Sequence, residues 1–131
     1  MSEVYDLLKT SGYSDRAIEY YETHLHVGSM ANPDAHAIFT GSCGDTMEFF
    51  LKISDVISDA KFQAIGCAGA FASGSALCEI IKGKLPMDCH MLDETDILNH
   101  LGSMPPQKTH CARLAIVTLH RAIEQYITKK Q

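Results

Sequence analysis

The hydrophobic pattern of this chain changes once, at Gly66-Cys67-Ala68, and that change is its strongest constraint on the fold. Residues 35–65 alternate between apolar and polar side chains, as half-buried strands do. After the change, apolar residues recur every three or four positions, which is the helical period. Strands followed by helices predict an α+β layer fold.

Three strands are predicted before the change, over residues 35–40, 47–53 and 57–65. In the second of them, Met47, Phe49 and Leu51 share one face, and Glu48 and Lys52 share the other. The short connections favour an antiparallel meander of three strands. We expect one face of this sheet to carry the helices and the other to meet water.

The predicted helices cover residues 14–23, 68–82 and 93–101 and a long C-terminal segment that begins near Thr109. Small residues from Ala68 to Ala76 predict that the helix after the strands lies tightly on the sheet. Residues 1–12 are an N-terminal extension, predicted either as a short helix or as a flexible segment. The whole chain, residues 1–131, is predicted as one domain.

Charge and cysteine content exclude several classes of protein. The 131 residues include 11 Lys plus Arg against 16 Asp plus Glu and form no basic stripe, so nucleic acid is not expected as the main ligand. No apolar stretch reaches the roughly 20 residues of a membrane span. The first residues lack a secretory signal, so we expect a cytoplasmic protein with reduced thiols. Five cysteines then favour metal or sulfur chemistry over disulfides.

Three cysteines lie at predicted element boundaries, where side chains can converge. Cys43 lies between two strands, Cys67 lies where the third strand meets a helix, and Cys111 follows His110 at the start of the last helix. Helix N-termini favour thiolates, which bind soft metals and carry sulfur. Asp45 returns to the face of Cys43 in an extended segment. These five residues are the candidate site, and the glycines beside Cys43 and Cys67 allow close approach to an inorganic centre.

The remaining cysteines and histidines are interpreted as structural. Cys78 falls in mid-helix among apolar residues, and Cys89 falls in a connection that contains proline. The histidines without ligand spacing are His24, His26, His36, His90, His100 and His120. Each candidate residue, taken alone, is better explained as a buried thiol, a helix cap or a surface group. No C-x-x-C pair is present, so the prediction depends on their combination.

With these residues in view, the chain resembles the IscU/NifU N-terminal family of iron–sulfur cluster assembly scaffolds over roughly residues 13–128. The segments that carry the resemblance are 43–45, 59–68 and 104–111. It implies a SufE/IscU-like fold and a cluster site formed by Cys43, Asp45, Cys67, His110 and Cys111. The implied cargo is iron, as a [2Fe-2S] cluster or as a [4Fe-4S] cluster shared by a homodimer, with zinc as an alternative occupant on isolation.

The resemblance also implies how such a scaffold works. A cysteine desulfurase of the IscS/NifS type supplies sulfur to Cys111 or Cys43, and apo iron–sulfur proteins receive the cluster. Only three thiolates are present, so the fourth ligand is Asp45 or His110, a harder donor that is more easily replaced. Lys108 is expected to offset negative charge beside the site. The protein is expected to be a carrier and not an enzyme.

An Hsp70-type chaperone is a further partner that the resemblance implies. Its recognition segment in the family is of the Pro-Pro-Val-Lys type and usually follows Leu. The corresponding residues here are Met104, Pro105, Pro106, Gln107 and Lys108.

Three alternatives remain open at this point. A zinc-dependent sulfur acceptor of the SufU type has a similar constellation, although such relatives usually carry an insertion after the second cysteine and lack the histidine that His110 matches. A cysteine-nucleophile enzyme would need His110 as base to Cys111, but neighbours on a helix point about 100° apart. A metal-free interaction domain would leave the glycine-flanked cysteines unexplained.

Overall fold

The chain forms two short helices, then three strands, then a helical half that ends in one long helix, in a computed structural model that describes residues 3–130. The helices are α1 (Glu3–Ser11), α2 (Asp15–Thr23), α3 (Ala68–Ile81), α4 (Pro86–Cys89), α5 (Glu94–Leu101) and α6 (His110–Lys130), and a 3₁₀ turn, Pro106–Lys108, precedes α6. The strands are β1 (Ala35–Thr40), β2 (Thr46–Ile53) and β3 (Ile57–Ile65). The predicted α+β class is confirmed.

The sheet is the predicted antiparallel meander, with the order β1-β2-β3. Phe49 at its centre pairs with Ala37 on β1 and Phe62 on β3. Side chains on this face are buried against α3 and α6. On the opposite face Ile38 and Ile65 are 58% and 76% exposed, so the predicted wet face is confirmed.

Helix α3 packs on the sheet as closely as its small residues predict. A Cβ on Gly74 would lie 2.4 Å from Cε2 of Phe62, so the ring of Phe62 occupies the space that any larger residue would need. Ten residues of this helix are buried, and they include Ser73 and Ser75. The helix is therefore fixed in depth and rotation, and with it the position of its first residues beside Cys67.

The N-terminal extension is helical over Glu3–Ser11, and none of these residues is buried. Met1 and Ser2, which the predicted extension includes, lie outside the described residues. Helix α2 begins as predicted after Ser14, whose side chain accepts a hydrogen bond from the N–H of Ala17.

Two features besides the 3₁₀ turn were not predicted. The segment before β1 adds to the edge of β3, because Phe62 N–H donates to the His26 carbonyl and Gly28 N–H donates to the Phe62 carbonyl. The one-turn helix α4 begins at Pro86 and buries Cys89. Neither segment is long enough to show a hydrophobic period.

No helix in residues 3–130 combines the length and the apolar character needed to cross a bilayer.

Candidate metal centre

Cys43 and Asp45 lie in the loop between β1 and β2. Gly41 N–H donates to the Asp45 carbonyl over 2.9 Å, and Gly44 N–H donates to the Gly41 carbonyl over 3.0 Å. Gly44 has a φ of +92°, a conformation that favours glycine. This tight turn leaves the Cys43 side chain exposed and the Asp45 side chain half-buried at the end of the sheet.

Cys67 lies at the N-cap of α3, immediately after β3. The preceding residue is glycine for a steric reason, since a Cβ on Gly66 would lie 2.8 Å from Oδ2 of Asp45 and 3.1 Å from the Cβ of Ala70. The missing side chain lets the carboxylate of Asp45 approach the β3–α3 junction. The sequence predicts that this glycine lets an inorganic centre come close to the backbone. In the structure, the group that comes close to Gly66 is the carboxylate of Asp45.

His110 and Cys111 open α6, directly after the 3₁₀ turn. Nδ1 of His110 lies 3.0 Å from the carbonyl oxygen of Gln107. A carbonyl oxygen only accepts, so Nδ1 carries the proton and the lone pair is left on Nε2. That Nε2 lies 3.7 Å from Sγ of Cys111, so the imidazole and this sulfur are placed to bind the same metal.

The three segments bring all five predicted site residues together in two overlapping groups. One group is Cys43, Asp45 and His110, and the other is Asp45, Cys67 and Cys111. Within each group the potential ligand atoms lie within 4.8 Å of one another. Asp45 belongs to both groups, so its carboxylate lies between the exposed side of the site and the buried side.

The buried side of the site holds a thiol–thiolate pair. Sγ of Cys67 lies 3.6 Å from Sγ of Cys111. A hydrogen bond from the Cys111 thiol lowers the pKa of Cys67 to about 5, although burial opposes this shift. The N–H groups of Ala70 and Gly69 and the charge of Lys108 also lower the pKa. The same hydrogen bond, together with burial, holds the pKa of Cys111 far above its ordinary value. At neutral pH the pair shares one proton, and Cys67 is the thiolate.

Accessibility differs sharply among the three thiols. Cys111 is fully buried, Cys67 is partly buried and Cys43 is exposed. Cys43 and His110 also line a groove of about 240 Å³ with apolar walls that include Phe39 and Leu114. A reagent or protein that approaches from solvent therefore meets Cys43 first.

Sequence reasoning missed Tyr13 as a residue of this site. Its side chain is buried, and its hydroxyl and Sγ of Cys111 would both lie within 3.3 Å of a Cβ on Gly69. Burial raises the pKa of Tyr13 to about 12, and the negative charge of Cys67 adds to the shift. No local pattern reveals this contact, because Tyr13 and Gly69 are far apart in sequence.

The two cysteines that were interpreted as structural are both buried away from the site. Burial raises the pKa of Cys89 to about 11 and that of Cys78 further still, so both remain thiols. The six other histidines belong to neither ligand group. His36, for example, bonds to Glu48, and His90 stacks on His120.

The predicted chaperone-recognition segment is only half accessible. Met104 and Pro105 are buried, whereas Pro106 and Gln107 are exposed in the 3₁₀ turn. Pro105 packs against Gly12, where an added Cβ would lie 3.5 Å from its backbone. A partner that binds all five residues of this segment requires Met104 and Pro105 to leave their buried positions.

Comparison with known proteins identifies a family that matches most of the chain. Residues 12–131 match the family model described as the NifU-like N terminal domain. The chain is 36% identical over 125 residues to the iron-sulfur cluster assembly scaffold protein IscU of Escherichia coli, which covers 91% of this chain and 97% of that one. It is also 36% identical over 124 residues to the protein of the same name from Aquifex aeolicus, with 90% and 78% covered.

Solved structures show the same fold. A nitrogen-fixing NifU-like protein (N-terminal) from Brucella abortus superimposes with a TM-score of 0.70 at 21% identity, over 88% of this chain and 94% of that one. A protein of Fervidobacterium islandicum, described as a candidate iron–sulfur cluster assembly scaffold for the SUF system, does so with a TM-score of 0.67 at 25% identity, over 85% and 96%.

Proposed function

The chain belongs to the family of NifU-like N-terminal domains, and on that premise we propose that it is an iron–sulfur cluster assembly scaffold. It receives sulfur, binds iron, builds a labile [2Fe-2S] cluster and passes the cluster to apo-proteins. One observation supports this function most directly. Three thiols, a carboxylate and an imidazole converge at the end of the sheet, in two ligand groups that share Asp45.

The ligand set suits a cluster that is built and then released. A [2Fe-2S] cluster takes four protein ligands, and stable ferredoxins supply four thiolates. Here Cys43, Cys67 and Cys111 supply three. The fourth is the carboxylate of Asp45 or Nε2 of His110, and both are harder donors that exchange more readily from iron–sulfur centres.

The buried pair prepares the site for metal. A ligand thiol must lose its proton before it binds iron or zinc. The Cys67 thiolate already exists at neutral pH because the Cys111 thiol and Lys108 stabilise its charge. Only the Cys111 proton then leaves when metal enters the buried group. We assign to Lys108 the role of limiting the negative charge that three thiolates and a carboxylate concentrate here.

Of the two predicted sulfur acceptors, the exposed Cys43 fits the first transfer better than the buried Cys111. Its thiolate attacks the outer sulfur of a persulfide on the desulfurase, so a new S–S bond forms on Cys43 and the donor cysteine leaves as a thiolate. The transfer itself is redox-neutral. Conversion of the bound sulfane sulfur to sulfide then takes two electrons from a reduced electron-transfer protein or a dithiol.

A zinc-dependent sulfur acceptor of the SufU type is the second candidate function. It is supported by the structural match to a protein of the SUF system. The donor set fits a tetrahedral zinc. His110 is present, and the chain between Cys67 and Cys111 folds compactly without an added domain. These features favour the scaffold, in which zinc is a replaceable occupant.

The proposal includes partners and a place of action. A cysteine desulfurase of the IscS/NifS type donates sulfur, and apo iron–sulfur proteins in the cytoplasm receive clusters. An Hsp70-type chaperone acts only after Met104 and Pro105 leave their buried positions. A homodimer would be needed to combine two clusters into [4Fe-4S].

Matched cysteine variants test the ligand assignment. Wild type, Cys67→Ala and Cys89→Ala are reconstituted anaerobically with ferrous iron, L-cysteine and a catalytic amount of desulfurase, and iron and sulfide are measured after gel filtration. We expect Cys89→Ala to hold a cluster as wild type does and Cys67→Ala to hold none. Iron and sulfide contents in Cys67→Ala equal to those of wild type would show that this thiol is not a cluster ligand.

A further inference from the structure

Gly69 lies in the first turn of α3, where three other segments of the chain converge on it. A Cβ at this position would lie 3.1 Å from Sγ of Cys111, 3.3 Å from the hydroxyl oxygen of Tyr13 and 3.4 Å from the Cβ of Lys108. These atoms belong to α6, to the α1–α2 connection and to the 3₁₀ turn. All three distances are shorter than the separation at which a methyl group packs favourably. An added side chain would therefore crowd three neighbours at once.

Helix α3 is held in place on two other sides, so it cannot relieve this crowding by moving. The ring of Phe62 fills the space beside Gly74, where a Cβ would lie 2.4 Å from it. The Ser75 hydroxyl donates to the Leu25 carbonyl over 2.7 Å. Because the helix is fixed against both the sheet and the segment after α2, crowding at its first turn displaces the side chains that surround this turn.

The sulfur nearest to Gly69 belongs to a pair whose spacing suits a single metal ion. Sγ of Cys111 lies 3.6 Å from Sγ of Cys67. Two thiolates that bind one tetrahedral metal through bonds of about 2.3 Å have their sulfurs about 3.8 Å apart. Cys111 is fully buried, so its side chain has little room to restore this spacing once it is displaced. The space left free at Gly69 is therefore a condition for the spacing of the two sulfurs.

We propose that Gly69 is a positioning residue for the metal site, and that its missing side chain sets the spacing between the sulfurs of Cys67 and Cys111. The inference rests on the proposed function, since both cysteines must be metal ligands. Gly69 has no side chain to offer as a ligand, so it acts through the sulfur of Cys111. A larger residue here changes the ligand geometry without removing a ligand. A metal ion then still binds, but more weakly and with altered symmetry.

Cobalt is a suitable probe because its absorption reports both thiolate ligands and tetrahedral symmetry. Wild type, Gly69→Ala and Gly74→Ala are titrated anaerobically with Co²⁺, and the stability of each is measured in urea. We expect Gly69→Ala to bind Co²⁺ about tenfold more weakly and with shifted ligand-field bands, because displaced sulfurs fit a tetrahedral ion poorly. Gly74→Ala is the matched control, since its methyl group meets Phe62 and no ligand. It should lower the stability and leave cobalt binding unchanged.

A second variant keeps the test decisive where crowding at Gly69 weakens the fold. Tyr13→Phe removes the hydroxyl oxygen and makes room beside the added methyl group. We expect Gly69→Ala/Tyr13→Phe to bind Co²⁺ more tightly than Gly69→Ala does. Wild-type affinity and bands in a folded Gly69→Ala would overturn this inference alone. Failure of both variants to fold would also overturn it, because Gly69 would then act in packing. A wild-type chain that binds no cobalt would overturn the proposed ligand set as well.

Discussion

Sγ of Cys67 and Sγ of Cys111 lie 3.6 Å apart, although 44 positions separate these residues in the sequence. Two thiolates at this distance would repel each other, so the metal-free pair keeps one proton. The folded protein therefore places a charged donor and a neutral thiol side by side. A metal ion completes this arrangement by replacing the proton.

The first prediction concerns the pH dependence of Cys67. With a pKa of about 5, Cys67 is a thiolate above this pH and a thiol below it. In metal-free Cys43→Ser, the rate of alkylation by iodoacetamide should stay high from neutral pH down to about 5 and fall below it. The double variant Cys43→Ser/Cys67→Ser should lose this reaction. A midpoint above pH 7 would show that Cys111 does not stabilise the thiolate.

The second prediction concerns Asp45 as the labile ligand. Removing its carboxylate should leave cluster assembly possible, because three thiolates and His110 remain. Asp45→Ala should slow cluster transfer to an apo-ferredoxin about tenfold, since the exchangeable oxygen donor is gone. Asp55→Ala, at the opposite end of the sheet in the β2–β3 turn, is the control. Transfer from Asp45→Ala at the wild-type rate would exclude Asp45 from the release step.

The third prediction tests the contact between Gly66 and Asp45. The added methyl group of Gly66→Ala would overlap Oδ2 of Asp45, so the carboxylate must move away from the site. We expect transfer to slow as in Asp45→Ala. In the double variant the two effects on transfer should not add, because the carboxylate that the methyl group would displace is already absent. Additive slowing, measured in the same assay, would mean that Gly66 has a separate role.

The fourth prediction concerns the packing of α3. Gly74→Ala would place a methyl group against the ring of Phe62 and should lower the free energy of unfolding by about 1–3 kcal/mol. The helix propensity of alanine offsets at most about 1 kcal/mol of this loss. The neighbouring Ser73→Ala is the control, since the buried Ser73 hydroxyl has no hydrogen-bond partner among the described residues. Urea denaturation should show Ser73→Ala at least as stable as wild type, and an unchanged Gly74→Ala would contradict the packing described above.

The strands, the closely packed helix and the convergence of the five site residues could be predicted from the sequence, because each corresponds to a pattern of neighbouring residues. The alternation of apolar and polar residues around Phe49 predicts the sheet, and the small residues after Cys67 predict the helix that packs on it. The three site cysteines lie at the ends of these strands and helices. The position of Tyr13 beside the site has no such pattern, because the Tyr13 side chain and Gly69 come together only in three dimensions. The pairing of His26 and Gly28 with Phe62 depends on backbone hydrogen bonds that no side-chain pattern records.

The most direct test of the scaffold function is cluster transfer after enzymatic reconstitution. The chain is incubated anaerobically with ferrous iron, L-cysteine, a reductant and a catalytic amount of desulfurase, is freed of small molecules, and is then mixed with an apo-ferredoxin. We predict about two iron and two sulfide per cluster, a visible absorption spectrum of the [2Fe-2S] type, and its movement to the ferredoxin. A chain that gains persulfide but keeps one zinc and takes up no iron would contradict the scaffold function and identify a sulfur acceptor.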